Sequence, residues 1–496
     1  MTPGDETTDL LRQAKRLVEL LLQDLPADEE SGPSLLDVLE EHLGRRPDRL
    51  AIVTEDVLEH RLVDADIAMA EIAGRDPASR LIGLGGGDSR HHFTLGDQLQ
   101  AARRGHGSEI GQVDYLQAST GPGPDDHRNV VGLGLWLFAL DGRPVAVRQQ
   151  SARPQYGRSQ GSLDILTADP ETAHDLIAEV RRLMDERSVF RGQVVTFAGD
   201  PYGSGLAGVT FLERPVVHRD DVILPDGLLE RVTHHVTGIA EHRAVLVAHG
   251  QHLKRGVLLY GPPGTGKTHT MRYLLSSSPG TTAILLSGGS LQYIQAAAKI
   301  ARAHQPALVV LEDVDLIADD RSMGMMPKPL LFEVLDALDG LDSDADVTFL
   351  LTTNRVADLE RALTQRPGRV DLAAEIPLPD EAGRTRLLRL YAGGLFSDPA
   401  LATAAARTEG TTASFAKELV RRAVLRAALA GADPGDTHLA GAVDDLLSDG
   451  ETLTRSLLGV AGDPAAVVDA AYAVFPPHGG TAMGNAGTAT ARRHES

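Results

Sequence analysis

The segment Gly261-Pro-Pro-Gly-Thr-Gly-Lys-Thr268 constrains the fold of this chain more than any other stretch. It fits the pattern Gly, four residues, Gly-Lys-Thr, and it lies between an apolar run, 257–260, and residues with helical spacing. Glycines let backbone N–H groups face a triphosphate, the N-terminus of the following helix adds a positive dipole, and Lys267 can reach the terminal phosphates. The Thr268 hydroxyl is suited to bind Mg²⁺. The order strand, loop, helix therefore predicts a site for ATP with Mg²⁺.

The apolar run Leu308-Val-Val-Leu311 ends on two carboxylates, Glu312 and Asp313. A site that hydrolyses a magnesium triphosphate needs one carboxylate near the metal and another that orients and deprotonates the attacking water. Because adjacent positions on a strand point in different directions, the two side chains can serve these two functions. The alternative for the pair, and for Asp315, is an acidic N-terminal cap on the next helix.

Two further polar segments follow this strand along the chain. The run Leu350-Leu-Thr-Thr-Asn-Arg355 ends on an amide, and Asn354 could hold the attacking water or the γ-phosphate; a turn asparagine is the alternative. Arg366-Pro-Gly-Arg-Val-Asp371 supplies Arg366 and Arg369, and an arginine near the γ-phosphate stabilises the charge on the transferred group. The alternative interpretation of these two arginines is a solvated Arg-Pro-Gly turn.

From about residue 216, short apolar runs alternate with helical stretches, which is the pattern of a parallel α/β sheet. The predicted strands are 256–260, 283–287, 308–311, 347–353 and 373–378. After Pro379 the pattern is helical, over 381–392, 399–408, 412–430 and about 436–458.

The first 200 residues carry no chemical motif and predict an α+β domain. One segment has the pattern of a hairpin with a tight turn: Val131–Leu140, then Asp141-Gly142 as the turn, then residues 144–148. The other predicted elements are helices over 10–25, 34–43 and 170–190, a strand over 162–166, and loops over 83–88 and 121–126.

With its motifs in this order, the chain resembles the AAA family of ATPases, within the AAA+ class, over about 215–460. The motifs that carry the resemblance are the phosphate loop, Glu312-Asp313, Asp339-Gly340-Leu341, Thr353-Asn354-Arg355 and Arg366 through Asp371. The resemblance implies an α/β domain with a five-stranded parallel sheet, a helical lid, and a ring, usually hexameric, with ATP bound between subunits. A distinct N-terminal domain makes it similar to actinobacterial members.

The resemblance also implies roles for individual residues. Asn354 matches the sensor-one position, and Arg366 and Arg369 match arginine fingers that reach the neighbouring subunit's nucleotide. Asp221-Val222-Ile223 resembles the segment that packs against adenine, and Gly410-Thr-Thr-Ala-Ser-Phe415 the point where the lid meets the nucleotide. The residues expected to contact the nucleotide are Gly261, Pro262, Pro263, Gly264, Thr265, Gly266, Lys267, Thr268, Val222 and Ile223.

The chain departs from the family pattern in two places. The family normally ends its third strand with Asp-Glu, whereas the order here is Glu312-Asp313, as in mitochondrial AAA translocases that move folded Rieske protein. The resemblance then implies that Glu312 lies near Mg²⁺ with Thr268 and that Asp313 is the base. The second departure is the pore loop, in which Tyr293-Ile294 lacks the usual glycine. Tyr293 is either a pore aromatic or a tyrosine that packs against a helix.

The expected organisation is a recognition domain over 1–200, a linker over 201–215, an ATPase subdomain over 216–380, a helical lid over 381–470 and a disordered tail over 471–496.

The amino-acid composition excludes several classes of site and argues against several classes of partner. The chain has 48 basic and 69 acidic residues among 496, a formal charge of −21, which argues against nucleic acid and anionic membrane as partners. It has no cysteine, which excludes disulfides and thiolate metal sites. The N-terminus has no signal-peptide pattern and no segment is long enough to insert in a membrane, so we expect a cytoplasmic protein.

Two functions remain open. The first is an ATP-hydrolysing, chaperone-like ring that remodels or translocates an unidentified protein partner. The second is a nucleotide-gated scaffold or regulator with little turnover, which the swapped carboxylates and the weak pore loop favour. The charge disfavours a DNA-dependent motor.

Overall fold

A computed structural model describes five stretches of the chain: 34–104, 109–198, 208–314, 345–355 and 370–448. Several predictions lie outside these stretches. They concern the helix over 10–25, Asp315, the segment Asp339–Leu341, Arg366, Arg369 and the tail over 471–496.

The first domain is built on a seven-stranded antiparallel sheet in the order β1-β7-β6-β5-β2-β3, with β4 paired to β5. Its strands are β1 Ile52–Val57, β2 Arg80–Leu84, β3 Ile110–Gly111, β4 Asp114–Ser119, β5 His127–Leu140, β6 Arg143–Gln150 and β7 Gly161–Thr167. The predicted hairpin is confirmed, because Asp141 and Gly142 join β5 to β6 with φ of 49° and 79°. Two positive φ angles are typical of the tight turns that match the twist of a hairpin.

Four helices cover the two faces of this sheet: α1 Leu35–Leu43, α2 Leu62–Ala73, α3 Leu95–Arg103 and α4 Pro170–Glu186. Helices α2 and α4 pack on one face, where Phe138 and Val147 are buried. Helices α1 and α3 pack on the other face, where Leu135 and Ala146 are buried. Alternation along β5 and β6 therefore supplies two cores, and the α+β expectation holds for this domain.

The loop predictions in this domain are only half right. Residues 121–126 form the turn between β4 and β5, where Asp126 Oδ2 accepts a hydrogen bond from Gly123 N at 2.8 Å. Gly83 and Leu84, by contrast, end strand β2, which pairs with β5 and β3. A Cβ atom on Gly83 would lie 2.0 Å from the carbonyl carbon of Gln112, so this glycine serves a close approach of two backbones and not a loop.

The second sheet has seven strands in the order β14-β10-β13-β12-β11-β8-β9. Its strands are β8 Val194–Ala198, β9 Gly208–Leu212, β10 Arg255–Tyr260, β11 Thr282–Ser287, β12 Ala307–Glu312, β13 Val347–Thr353 and β14 Leu372–Glu375. All are parallel to their neighbours except β9, which is antiparallel to β8.

The five predicted strands are present, but the sheet continues beyond them. The extra strand β8 joins β11 through residues 194–196, on the N-terminal side of the expected domain boundary. Val194 and Val195 are both buried, so their apolar run follows the pattern of a strand covered on both faces. A run of five residues next to a predicted domain end gave too weak a signal to be assigned to the second sheet.

Helices flank this sheet and continue beyond it. The flanking helices are α5 Leu228–Thr233, α7 Lys267–Ser276 and α8 Ile294–Ala303, whereas the short helix α6 Arg243–Ala248 has no buried residue. A separate helical bundle follows β14 and is formed by α9 Glu381–Ala392, α10 Asp398–Arg407, α11 Ala413–Leu429 and α12 Asp436–Leu447. Asp380, Ser397 and Thr412 cap three of these helices through their side chains, which explains where the helices begin. Among the described residues, no helix combines the length and apolar character needed to cross a membrane.

Candidate nucleotide-binding site

The phosphate loop joins the end of β10 to the start of α7, and its backbone demands glycine. Gly261 has φ of 148°, and a Cβ atom there would lie 2.2 Å from the carbonyl oxygen of Ile376. Gly264 has φ of 77°, and its Cβ would lie 3.0 Å from Ser414 Oγ. These two positions therefore require glycine, because a side chain at either one would meet its neighbours and the backbone has positive φ.

Polar contacts hold the loop in shape. Lys267 is 6% exposed, and its Nζ donates hydrogen bonds to the carbonyl oxygens of Gly261 and Pro262, both at 2.8 Å. Thr265 Oγ1 donates to the same Pro262 oxygen at 2.9 Å. Thr268 is exposed at the first turn of α7. The lysine ammonium thus lies within the loop, and the hydroxyl predicted to bind a metal faces outward at the helix N-terminus.

The two carboxylates follow β12, and the second adopts an unusual backbone conformation. Asp313 has φ of 50°, in the left-handed region that side chains other than Gly, Asn and Asp rarely adopt. Its backbone N–H donates to Thr352 Oγ1 at 3.0 Å. The side chains of Glu312 and Asp313 are both partly exposed. Thr352, on the neighbouring strand β13, therefore helps to fix the backbone of Asp313 and with it the direction of the Asp313 carboxylate.

Asn354 meets Asp313 at the same edge of the sheet. Its Nδ2 donates to Asp313 Oδ1 at 3.3 Å. Strand β13, which ends just before Asn354, lies between β10 and β12 in the sheet order. Since the carboxyl ends of parallel strands share one edge, Asn354 lies between the phosphate loop and the two carboxylates. The structure thus brings together Asn354 and Asp313, which the sequence predicted separately.

Thr352 is the residue that sequence reasoning missed. It is 1% exposed and lies in β13, two positions before Asn354. The available signal was the pair of threonines that ends a mostly apolar strand, Thr352 and Thr353.

The segment expected to pack against adenine lies beside the loop. Val222 is buried in the core that contains Leu259 and Met271, while Ile223 packs against the helical bundle. His269 Nε2 lies 3.1 Å from the carbonyl oxygen of Asp221.

The bundle reaches the phosphate loop directly. Ser414, in the first turn of α11, donates its backbone N–H to the carbonyl oxygen of Gly264 at 3.2 Å. The stretch 410–415, predicted as the meeting point of lid and nucleotide, is therefore in contact with the loop itself.

Tyr293 packs inward. Its ring stacks on Phe197 of β8, with centroids 5.3 Å apart, and it lies against the core of the second sheet. Of the two interpretations, this contact favours the packing role. Arg366 and Arg369 lie outside the described residues, so their predicted contact with a neighbouring nucleotide stays a prediction.

A phosphate loop between β10 and α7, with carboxylates and an amide at the ends of β12 and β13, defines a P-loop nucleotide-binding domain. Residues 257–378 match the family described as "ATPase family associated with various cellular activities (AAA)", and this part of the chain is an AAA ATPase domain.

Curated relatives match part of the chain. A 26S proteasome regulatory subunit 10B from Dictyostelium discoideum is 37% identical over 154 residues, 28% of this chain and 39% of that protein. The ATP-dependent zinc metalloprotease FtsH 2 from Symbiobacterium thermophilum is 32% identical over 248 residues, 47% of this chain and 40% of that protein. A proteasome-activating nucleotidase from Methanocaldococcus jannaschii is 30% identical over 235 residues, 43% of this chain and 53% of that protein. The chain spans about two fifths to one half of the length of these relatives.

Proposed function

We propose that this chain is a Mg²⁺-dependent ATPase that works as a hexameric ring and remodels or translocates a protein partner. The observation that carries the proposal is the hydrogen bond from Asn354 to Asp313 beside the phosphate loop. An amide and a carboxylate that share one hydrogen bond suit the task of aligning and deprotonating a water molecule. A site that only binds a nucleotide does not need this pair of an amide and a carboxylate.

The residues present fit a magnesium nucleotide. The loop backbone and Lys267 would hold the phosphates, and Thr268 with Glu312 would hold Mg²⁺, which supplies charge neutralisation when bound. Among the described residues, no group of three or more His, Asp or Glu side chains could bind a metal alone. A metal that takes one hydroxyl, one carboxylate and phosphate oxygens is consistent with that finding.

The remaining residues have the following roles in this proposal. Asp313 accepts the proton of the attacking water. Asn354 fixes the positions of the Asp313 carboxylate and of the water. Arg366 and Arg369 of a neighbouring copy would stabilise the charge on the transferred phosphoryl group. Val222 and Ile223 would pack against the adenine ring. These assignments keep Asp313, and not Glu312, as the base.

A protein partner is supported by the relatives and by charge. The names of two relatives refer to the proteasome, and the name of a third refers to a metalloprotease. The formal charge of −21 disfavours a nucleic acid. The 496 residues contain no His-Glu-x-x-His segment, so we do not assign proteolysis to this chain.

We propose the N-terminal domain as the recognition domain. Because β8 hydrogen-bonds to β11 of the second sheet, the boundary is better placed near residue 190 than at 200. The helical bundle over 381–448 is the proposed lid, since Ser414 contacts the phosphate loop.

The test is phosphate release by the purified full chain with ATP and Mg²⁺. Lys267→Ala should abolish turnover, whereas Lys299→Ala, which removes an exposed lysine of α8, should leave it unchanged. Equal turnover in the two variants would contradict the proposal. Co-purification with Asp313→Asn, which should retain ATP, is expected to enrich a protein partner over the wild type.

The second candidate is a nucleotide-gated scaffold, and two observations favour it. The order Glu312-Asp313 reverses the usual pair, and Tyr293 packs inward. A multimer that forms with ATP but releases no phosphate would support the scaffold over the motor.

A further inference from the structure

A histidine on α7 links the phosphate-loop helix to the segment 221–223. His269 comes directly after Thr268 and is partly buried. Its Nε2 lies 3.1 Å from the main-chain carbonyl oxygen of Asp221, 48 positions away in the chain. Because a carbonyl oxygen can only accept a hydrogen bond, Nε2 carries a hydrogen and donates it. The bond therefore ties the first turn of α7 to the main chain of a distant segment.

Contacts other than this bond already hold the segment 221–223 in the fold. The side chain of Val222 is 5% exposed and packs in the core beside α7. Directly after the segment, Arg386 Nη2 donates to the carbonyl oxygen of Leu224 at 3.3 Å. Loss of His269 should therefore leave the segment folded but free its main chain to shift relative to the phosphate loop.

The main chain of this segment offers groups that can contact a base. Val222 is extended, with φ of −101° and ψ of 101°. Within the described stretches, the carbonyl oxygen of Val222 and the N–H of Ile223 form no hydrogen bond. Adenine presents an exocyclic amine where guanine presents a carbonyl oxygen. A main-chain carbonyl accepts from the amine and repels the oxygen, so the position of the segment affects which base is preferred.

We propose that His269 is a positioning residue that fixes the base-binding segment relative to the phosphate loop and thereby sets the preference for adenine over guanine nucleotides. This inference rests on the proposed function, which assigns the base to Val222 and Ile223. In that assignment Lys267 and Thr268 hold the phosphates on the same helical turn as His269. A nucleotide that contacts both places needs them at one separation, and a helix with a hydrogen bond to the segment supplies it. The histidine then acts on nucleotide binding and not on the chemical step.

The experiment measures the affinity of the full chain for ADP and for GDP, each with a fluorescent label on the ribose. The wild type should bind ADP more tightly than GDP. His269→Leu, which has a side chain of similar size without a donor, should weaken ADP binding about three- to tenfold and GDP binding less. His269→Gln places an amide N–H near the position of Nε2 and should restore the affinity for ADP. Equal affinities for ADP and GDP in the wild type, equal ADP affinity in His269→Leu and wild type, or no recovery in His269→Gln would overturn the inference.

Tripolyphosphate, which has no base, separates an effect on the base from damage to the phosphate loop. Its affinity, measured by displacement of labelled ADP, should be the same in His269→Leu and in the wild type. An equal loss for tripolyphosphate and ADP would show that His269 supports the loop or the fold, and it would contradict the proposed role. If the leucine variant does not fold, His269→Asn gives the same comparison, because its amide is too short to replace the imidazole Nε2.

Steady-state hydrolysis gives an independent readout. The KM for ATP should rise in His269→Leu while kcat changes little, since the contact acts equally on the bound nucleotide and on the transition state. A fall in kcat with an unchanged KM would contradict a role in positioning the base.

His42→Leu is the matched control, because His42 is also partly buried and its Nε2 lies 3.0 Å from the carbonyl oxygen of Val145 in the N-terminal domain. It should change the affinity for neither nucleotide. A wild type that binds ADP but releases no phosphate would contradict the proposed hydrolysis, while the binding comparison would still decide the role of His269. A wild type that binds no ADP would contradict both.

Discussion

The side-chain amide of Asn354 donates a hydrogen bond to the carboxylate of Asp313, with 3.3 Å between Nδ2 and Oδ1. The two residues stand 41 positions apart in the chain, at the ends of neighbouring parallel strands. Since Asp313 has φ of 50° and its N–H is held by Thr352, three residues together decide where its carboxylate points. The proposed chemistry depends on this arrangement and yields the first two predictions.

Asn354→Ala should lower the rate of ATP hydrolysis by about 10- to 100-fold, because the carboxylate of Asp313 loses the partner that fixes it. Nucleotide affinity should change little, since the phosphate loop is untouched. Steady-state phosphate release and titration with a fluorescent nucleotide measure the two quantities. An unchanged rate would remove Asn354 from the mechanism.

Thr352→Val should act through Asp313. Valine fills the same buried space but leaves the N–H of Asp313 without its acceptor, at a cost of about 1–3 kcal/mol. We expect kcat to fall about tenfold with KM nearly constant, since the hydrogen bond orients the base and not the nucleotide. Thr352→Ser keeps the hydroxyl and should restore kcat. A serine variant as slow as the valine variant would argue for a packing role instead.

Gly261→Ala should destabilise the ATPase domain by about 3 kcal/mol, because the new Cβ would lie 2.2 Å from the carbonyl oxygen of Ile376. Gly289→Ala is the control, since a Cβ there meets no atom within 4 Å and the backbone does not have positive φ. It should change the free energy of unfolding by about 0.5 kcal/mol or less. Urea unfolding of the two variants gives the comparison, and equal stabilities would contradict the described loop geometry.

The sequence predicted the parts of the molecule that depend on local pattern. The turn at Asp141-Gly142 and the phosphate loop are contiguous, so spacing alone located them. Asn354 and Asp313 were each predicted as site residues because each polar side chain follows an apolar run with the pattern of a strand.

The remaining features depend on contacts between distant segments. The role of Thr352 requires the register of β13 beside β12, and the inward packing of Tyr293 requires β8 as its neighbour. No window of sequence contains these partners together.

The junction between the two sheets should make stability depend on pH. His304 is 1% exposed, with Nε2 3.4 Å from Ser188 Oγ and its ring 6.0 Å from that of Phe190. Burial lowers the pKa of His304 to about 4, with Arg61, Arg191 and His60 adding to the effect and Asp185 opposing it. Burial likewise lowers the pKa of His60 to about 4.

A histidine whose pKa is lowered by folding binds its proton more readily in the unfolded chain. Its stabilising contribution is therefore complete above about pH 6.5 and is lost as the pH falls toward 4. Burial raises the pKa of Asp64, which contacts Ser188, so this carboxyl has the opposite dependence and is most favourable at low pH. Between pH 6.5 and 5 the histidines dominate, and each should contribute a loss of about 2 kcal/mol.

His304→Gln should flatten this dependence, since glutamine cannot take up a proton in that range. The free energy of unfolding, measured with urea at pH 7.5 and at pH 5, should fall less in the variant than in the wild type. His174→Gln, which replaces a histidine on α4 outside the junction, should leave the wild-type dependence unchanged. If the free energy of unfolding of His304→Gln fell as much between the two pH values as that of the wild type, protonation of His304 would not be the source of the pH dependence.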